Sequence, residues 1–368
     1  MPLNPLAAEL KQLNDRVYAL ERRGVYPPAV ADASWNVVGD AGKPAFQNSW
    51  VNYPTGGWPT AAYRIDSEGW VIMRGLLTGG LNNTTAFTLP VGYRPAFTQM
   101  IRSNAADGAG YVAITSDGRV TPFGSSLTHF SLGQISFPTW NTDKLVLQRT
   151  SLPPYISDTQ LRLTRMAIRR SGMVEMLGLT GPLVIDTVTT SGAVPAAIVT
   201  LASQTELNGI GPDYGDIYGV HGIAPNIARI DLADNKLKAV TTLATWGILG
   251  GIRWPLPSIE AEYTNLTLTG SWVNFGWGGA HYWGPARYYK DSNGYVHLRG
   301  LVSGGATATS LVGTLPAGFR PGGRTMFSTI SNGVHAGCDV DSNGQITPRN
   351  YVVGSYLSLA GISFLAEN

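Results

Sequence analysis

The sequence predicts a mostly β protein, in which three tandem β-sandwich domains of jelly-roll type follow a short N-terminal trimeric coiled coil. Its 368 residues include 45 glycines and 23 prolines, and only 14% are charged, against about 25% in ordinary soluble domains. Glycine provides the positive φ angles that tight turns between short strands require. A heptad near the N-terminus and motifs that recur along the chain give the order of the domains.

Six apolar residues near the start of the chain are spaced alternately by three and four, as the a and d positions of a heptad are: Leu3, Leu6, Leu10, Leu13, Val17 and Leu20. Arg16 and Glu21 then occupy the g and e positions, where neighbouring parallel helices exchange salt bridges. Gly24 and the prolines after it end the helix. Segment 16–21 also resembles the Arg-h-x-x-h-Glu motif of parallel trimeric coiled coils. These eight residues predict a homotrimer; the alternatives are a dimeric coiled coil and a single amphipathic helix that packs on its own domain.

Most of the remaining chain is a β domain that occurs twice with clear similarity. Residues 49–137 recur at 271–364 through three motifs. These are a Ser-Trp-Val-Asn-aromatic segment, an Asp-Ser-x-Gly-aromatic-Val-x-x-x-Gly-Leu hairpin and a Leu-Pro-x-Gly-aromatic-Arg-Pro loop. The separation between matched residues drifts in one direction, from 222 to 227, which chance matches would not do. Alternating apolar residues beside each Gly turn predict half-buried strands in hairpins.

Two pairs of matched side chains are given structural roles. Trp50 and Trp272 lie on predicted strands and are expected in the core. Arg94 and Arg320 precede a proline in matched loops, and we expect each to brace a backbone carbonyl or a carboxylate rather than contact a ligand.

A third, divergent copy lies between the other two. Residues 171–181 match the first hairpin at a separation of 103, and residues 234–237 and 249–254 match later segments at a separation of 117. This copy carries a longer loop within residues 187–228 and lacks the Leu-Pro-x-Gly-aromatic-Arg-Pro loop.

The predicted boundaries are 1–24 for the coiled-coil oligomerisation helix, 25–44 for a linker, 45–138 for the first sandwich, 139–257 for the divergent second sandwich and 258–368 for the third. Proline ends each of the first two sandwiches, at Pro138 and Pro255, and proline joints are stiff. The three sandwiches are therefore expected to form a rod.

The composition excludes several classes of function. A net charge of +2 gives no basic surface for nucleic acid, and the single cysteine, Cys338, excludes an internal disulfide. The N-terminal residues do not have the pattern of a signal peptide. The longest charge-free apolar stretch, residues 239–252, is too short to cross a membrane. We therefore expect no nucleic-acid partner and no membrane insertion, and we expect Cys338 to be a small buried residue.

We expect a chain that is not an enzyme, with no catalytic residue, no metal site and no cofactor. None of the five histidines belongs to a His-x-x-x-His or Glu-x-x-His pair, and no Gly-x-Ser-x-Gly motif occurs. Aspartates in the Gly turns are expected to cap their own backbone. Asp213 and Asp216, in the long loop of the middle copy, are a candidate carboxylate pair for catalysis or Ca²⁺ binding.

Aromatic residues on glycine-rich loops are the candidate ligand-binding residues: Trp58 in the first copy, and Trp277, His281, Tyr282 and Trp283 in the third. Indole and phenol faces suit the apolar faces of sugar rings, and their polar edges can meet hydroxyl groups. The alternative is that these side chains pack between domains or at a trimer axis, since interfaces also favour Trp and Tyr.

The order of the motifs resembles the β-domains of tail fibres and receptor-binding (minor tail) proteins of tailed bacteriophages. The resemblance covers nearly all of residues 49–137 and 271–364, and only the hairpins of the middle copy. It implies a parallel homotrimer in which residues 1–24 attach to other tail or baseplate proteins of the virion. It also implies β-domains that face carbohydrate on the host surface, and a place in the phage tail after synthesis in the host cytoplasm.

Three other functions stay open. A glycan-degrading tailspike would need a carboxylate pair such as Asp213 and Asp216. A purely structural fibre of the baseplate or head would need no receptor site. A bacterial carbohydrate-binding or adhesin module is the third, and the absence of a signal-peptide pattern argues against it.

Overall fold

The computed structural model describes residues 31–32, 34–124, 128–139, 165–169, 173–177, 179–180, 196–200, 216–221, 227–233, 236–239, 247–248, 250–255, 262–276 and 283–367. These residues are mostly β and contain no helix, so the predicted β class is confirmed. The predicted coiled coil, residues 1–24, lies outside the described residues, and so do its eight heptad residues. The strands form six sheets, which we group in chain order into three sheet pairs, each with a smaller and a larger sheet.

The first sheet pair consists of β1 (Asn36–Val37), β2 (Val51–Asn52), β3 (Ala62–Ile65), β4 (Trp70–Arg74), β5 (Leu76–Thr78), β6 (Phe87–Thr88), β7 (Gln99–Ala105), β8 (Gly108–Ile114), β9 (Arg119–Gly124), β10 (Phe130–Ser131) and β11 (Ser136–Pro138). Its four-stranded sheet has the order β1-β3-β4-β11, and its seven-stranded sheet has the order β2-β5-β10-β7-β8-β9-β6. Neighbouring strands are antiparallel.

The second sheet pair consists of β12 (Arg165–Ile168), β13 (Met173–Leu177), β14 (Leu179–Thr180), β15 (Ala196–Thr200), β16 (Asp216–His221), β17 (Ile227–Ala233), β18 (Lys236–Ala239), β19 (Gly247–Ile248) and β20 (Arg253–Pro255). The order is β12-β13-β20 in the three-stranded sheet and β14-β19-β16-β17-β18-β15 in the six-stranded sheet.

The third sheet pair consists of β21 (Thr264–Asn265), β22 (Val273–Asn274), β23 (Arg287–Lys290), β24 (Tyr295–Arg299), β25 (Leu301–Ser303), β26 (Gly313–Thr314), β27 (Thr325–Ser331), β28 (Val334–Val340), β29 (Gln345–Arg349), β30 (Tyr356–Ser358) and β31 (Ser363–Leu365). The orders β21-β23-β24-β31 and β22-β25-β30-β27-β28-β29-β26 repeat those of the first sheet pair, strand for strand.

The matched turns and side chains take the roles that the sequence predicts. Asp66 accepts hydrogen bonds from two backbone N–H groups of its own turn, and Asp291 does the same in the third sheet pair. Trp50 and Trp272 are buried in the two cores. Each of the two matched arginines, at positions 94 and 320, donates an Nε–H bond of 2.8 or 2.9 Å to the carbonyl of the leucine that opens its loop. The capping, core and bracing predictions are confirmed.

The three sheet pairs contact one another in a closed arrangement, which we call the sheet-pair ring. β27 of the third sheet pair contacts both β7 of the first and β16 of the second, and β8 also contacts β16. The predicted rod is therefore wrong, because the first and third sheet pairs touch although the second separates them in sequence. All seven residues of β7 and of β27 are buried, whereas a strand with one face in solvent alternates. A neighbouring sheet pair covers the second face of each strand.

The same loop makes the contact at two sides of the ring. Ser131 of the first sheet pair donates a 2.7 Å hydrogen bond to the carbonyl of Met326 in β27, and Gly250 of the second forms a parallel bridge with Ile101 in β7. Gly133, beside Ser131, matches Gly250 at the separation of 117. A Cβ atom would lie 2.2 Å from a Thr side chain at the first glycine and 2.5 Å from a backbone oxygen at the second. β30 of the third sheet pair contacts β16, which closes the third side.

Polar side chains join the first and third sheet pairs near the tip of the β7–β8 hairpin. Arg349 Nη1 lies 3.2 Å from Asp107 Oδ1, and the Asn350 side chain donates a 2.6 Å hydrogen bond to the carbonyl of Asp107. His335 in β28 is half-buried and interacts electrostatically with Asp107 and Arg102. Burial lowers the pKa of His335 from 6.5 to about 4, because the negative charge of Asp107 does not offset burial and the positive charge of Arg102.

We predict that His335→Gln makes folding stability less sensitive to acid. Below pH 6.5 the unfolded chain binds a proton at this histidine, whereas the folded chain binds none until about pH 4. The stability of the native protein should therefore fall as the pH decreases through this window, by about 2 kcal/mol at pH 5 from this group alone. Denaturant unfolding of both proteins at about pH 7.5 and at pH 5 measures the difference. An equal acid loss in the variant would contradict the prediction.

Candidate functional site

The five predicted ligand-binding residues fall into two groups in the structure. Trp277, His281 and Tyr282 lie outside the described residues. Trp58 and Trp283 are described, and both are half-buried. Their glycan-binding role stays a prediction.

Trp58 lies between the first and third sheet pairs. The guanidinium carbon of Arg324 is 4.7 Å from the centre of its ring, and that of Arg349 is 5.8 Å away. Both arginines pair with Oδ2 of the buried Asp339, at 2.6 and 2.7 Å. Burial raises the pKa of Asp339, and the two guanidinium groups oppose that rise. This environment matches the alternative interpretation, in which the aromatic side chain packs between domains.

Trp283 packs within the third sheet pair. It contacts a small apolar cluster formed by Leu301, Ile330 and Tyr356, with Phe275 beside it. The face of Trp283 in this cluster is not available to a ligand.

A groove of about 640 Å³ opens between the first and third sheet pairs; we call it the Trp35 groove. Trp35, Arg64 and Arg74 line it from the first sheet pair, and Asn293 and Glu367 line it from the third. The guanidinium carbon of Arg74 lies 4.4 Å from the centre of the Trp35 ring, and that of Arg64 lies 5.8 Å away. Glu367 accepts a 2.5 Å hydrogen bond from the Trp35 indole and pairs with Arg74 at 2.8 Å.

The Trp35 groove combines the groups that carbohydrate recognition uses. An indole offers a large face to the apolar side of a sugar ring. The guanidinium groups of Arg64 and Arg74 and the amide of Asn293 can donate to hydroxyl or carboxylate oxygens, and Glu367 can accept from hydroxyl groups. Because Arg74 and Glu367 already pair with each other, the groove holds its polar groups in place before a ligand arrives.

Sequence reasoning missed the Trp35 groove, because Trp35 falls in the predicted linker, 25–44. A tryptophan in a linker is a usable signal, since so large an apolar side chain requires a packing partner. The chemistry of the groove is not repeated at the matched positions. Arg74 corresponds to Leu177 in the second sheet pair and to Arg299 in the third, and Arg299 is buried over Tyr263.

A buried group of charged side chains lies where the first hairpins of the three sheet pairs meet. Arg169 of the second sheet pair is 4% exposed, and its Nη1 atom lies 3.0 Å from Oδ2 of Asp66 in the first. Its Nη2 atom donates a 2.6 Å hydrogen bond to Ser136 Oγ. The guanidinium lies over the rings of Trp70, at 4.1 Å, and of Tyr295 in the third sheet pair, at 5.4 Å. Arg169 therefore contacts all three sheet pairs.

Asp66, Glu175 and Asp291 each have a cationic or histidine partner. Glu175 lies 2.9 Å from Arg253 and 3.3 Å from Arg169, and Asp291 lies 3.0 Å from His297. Burial raises the pKa of Asp66 against the charge of Arg169. Burial also acts to raise the pKa of Asp291. The hydrogen bond and charge of His297, together with the backbone N–H of Tyr295 and the charge of Arg169, outweigh it, and the pKa is lowered. Saturated pairing and burial give these side chains a structural role.

Three members of this group occupy one matched position. The backbone N–H groups of Asp66, Arg169 and Asp291 donate to the carbonyl four residues later, at 2.9, 2.7 and 2.8 Å. The sequence offsets of 103 and 225 place these residues together as well. The middle copy thus has an arginine where the two outer copies have aspartate.

Several expectations about chemistry fall partly outside the described residues. Asp213 lies outside them, and Asp216 begins β16. Within the described ranges, no group of three His, Cys, Asp or Glu residues is placed to hold a metal ion. In the same ranges no helix is long and apolar enough to cross a membrane. Cys338 is buried, as predicted, and burial raises the pKa of its thiol well above the ordinary value.

Comparison with known proteins gives a limited likeness. No known protein family and no curated protein sequence matches this chain. A solved structure that is similar to part of it is the receptor binding protein (gp15) of Listeria phage PSA, with 22% sequence identity and a TM-score of 0.24. The match covers 29% of this chain and 65% of that chain, which is less than two thirds of the phage protein. It establishes no family membership.

Proposed function

We propose that this chain is a non-enzymatic adhesion protein of a bacteriophage virion, a tail fibre or minor tail protein that binds glycans on the host surface. The observation that carries the proposal is the order of motifs shared by residues 49–137 and 271–364. These motifs are the ones that resemble phage tail-fibre domains. Their matched residues also occupy matched strands, since the first and third sheet pairs have the same strand orders.

We place the glycan in the Trp35 groove. Both Trp35 and Trp58 have two arginines near their rings. Only Trp35 lines the open depression, together with guanidinium, amide and carboxylate groups. The sugar ring would lie against Trp35, and Arg64 and Asn293 would donate to its oxygens. A sugar with a carboxylate would gain further from the two guanidinium groups.

The proposed protein is a homotrimer held by the heptad of residues 3–21. Each single site can then be weak, because sites on one trimer bind a host surface together at a high effective concentration. The same N-terminal segment would join the trimer to other tail or baseplate proteins.

We predict that Trp35→Ala lowers glycan affinity by at least about tenfold, equivalent to about 1.4 kcal/mol, because an aromatic anchor of a binding site is lost. A glycan array identifies the ligand of the native protein, and titration with that glycan gives the affinities. Trp58→Ala is the matched control and should bind within about twofold of the native protein. Equal unfolding midpoints show that both variants are folded.

Undiminished binding by Trp35→Ala would remove the glycan from this groove. If Trp277→Ala or Trp283→Ala lost affinity instead, the loop aromatics predicted from the sequence would form the site. If the native protein bound no glycan and did not compete with phage for host cells, the adhesion function itself would be contradicted.

We predict a trimer in solution. Three chains of 39.2 kDa give about 118 kDa by light scattering of the full-length protein. Leu13→Asp places a charge in the apolar seam and should reduce the mass to that of one chain, whereas Gln12→Asp, at an outward c position, should leave the trimer intact. A native mass of 39 kDa would contradict the homotrimer.

A further inference from the structure

We infer that one chain closes its own sheet-pair ring, so that each polypeptide forms a complete head with threefold-like packing from its three copies. The proposed homotrimer then carries three such heads, instead of sharing one ring among three chains. This inference concerns assembly and does not depend on whether the protein binds a glycan.

The contacts around the ring run in one direction, as in a closed cyclic trimer. The closing strand and loop of the first sheet pair lie on β27 of the third. Those of the second lie on β7 of the first, and β30 of the third contacts β16 of the second. Each sheet pair therefore uses one surface on one neighbour and a different surface on the other, and no end of the ring is left open.

The buried charges require that the copies in the ring differ at the matched position. Three copies with aspartate at the matched position would bring like charges together in a buried place, which is unfavourable. Arg169 in the middle copy instead pairs with Asp66 and lies close enough to Asp291 to lower its pKa. A ring of three first copies, or of three third copies, would lack this cation. A ring therefore needs one middle copy beside two outer copies, and one chain contains such a set.

The alternative is a ring that exchanges copies between chains. β20 ends at Pro255 and β21 begins at Thr264, so the eight residues between them reach at most about 30 Å and tie the second sheet pair to the third. Residues 139–164, between β11 and β12, are a longer connection of 26 residues. An exchange of copies between chains would therefore involve the first sheet pair. The contact between the first and third sheet pairs is the one to test.

Cysteines at Gly133 and Thr325 test this contact in the full-length protein. A Cβ atom at Gly133 would lie 2.2 Å from the Thr325 side chain, so the two positions are in direct contact. Replacing Thr325 with cysteine as well removes a branch of that side chain and leaves two thiols that can be linked if the backbone adjusts slightly. All variants also carry Cys338→Ala, because this thiol is buried in the folded protein but becomes exposed when the chains are denatured and refolded. The double variant Gly133→Cys/Thr325→Cys is oxidised, denatured without reductant and measured by electrophoresis and mass spectrometry. The two single variants, mixed and refolded together, are the matched control.

The expected result is a disulfide within one chain: a monomer-sized band that contains the linked peptides, and no linked chains from the mixed single variants. Covalent dimers or trimers in either sample would overturn the inference, because the contact would then lie between chains. Free thiols in the folded double variant would overturn it as well, because the first and third sheet pairs would not touch.

A second pair of positions covers the case in which Gly133→Cys prevents folding. Arg74 and Glu367 are partly exposed and their side chains meet at 2.8 Å across the same two sheet pairs. The variant Arg74→Cys/Glu367→Cys, treated with a short bis-maleimide, should be linked within one chain. Linkage between chains, or no linkage, would overturn the inference, as for the first pair of cysteines.

Discussion

The ion pair between Arg169 and Asp66 is the constraint on which the arrangement of the sheet pairs depends. Both side chains are buried, and a buried charge without a partner costs several kcal/mol. Arg169 belongs to the second sheet pair, its carboxylate partner to the first, and one of its ring contacts, Tyr295, to the third. Because the cation and its carboxylate belong to different sheet pairs, the buried charges balance only when the sheet pairs dock in this orientation. The ion pair therefore fixes how the sheet pairs are arranged.

The copies have similar backbones but different side chains. One chain can therefore have a repeated, symmetric fold and still form the Trp35 groove at only one contact between sheet pairs. The strand orders of the first and third sheet pairs are the same, so their contact surfaces have similar shapes. The residues on those surfaces have diverged: Arg74 has Leu177 as its match in the second copy. The Trp35 groove thus belongs to the contact between the first and third sheet pairs. A ring of identical copies would repeat the same groups at every contact.

The sequence predicts what local pattern controls and misses what depends on docking. Period-two alternation and Gly turns located the hairpins, and matched positions identified Trp50 and Trp272 as core. The predicted rod was wrong. Period-two alternation shows that one face of a strand is buried, but it does not show what covers the other face. In this structure β27 covers the other face of β7. Trp35 was missed because it falls in the predicted linker, where no strand pattern indicated a packing partner. The exchange of aspartate for arginine at position 169 was the visible signal that unlike copies meet.

A double-mutant cycle on Arg169→Met and Asp66→Asn tests the central claim most directly, because the two residues lie in different sheet pairs. Denaturant unfolding of the native protein, both single variants and the double variant gives the coupling free energy. Direct contact across the ring predicts a coupling of about 1–3 kcal/mol. Additive effects, within about 0.5 kcal/mol, would show that the two sheet pairs do not meet at this point and would contradict the ring.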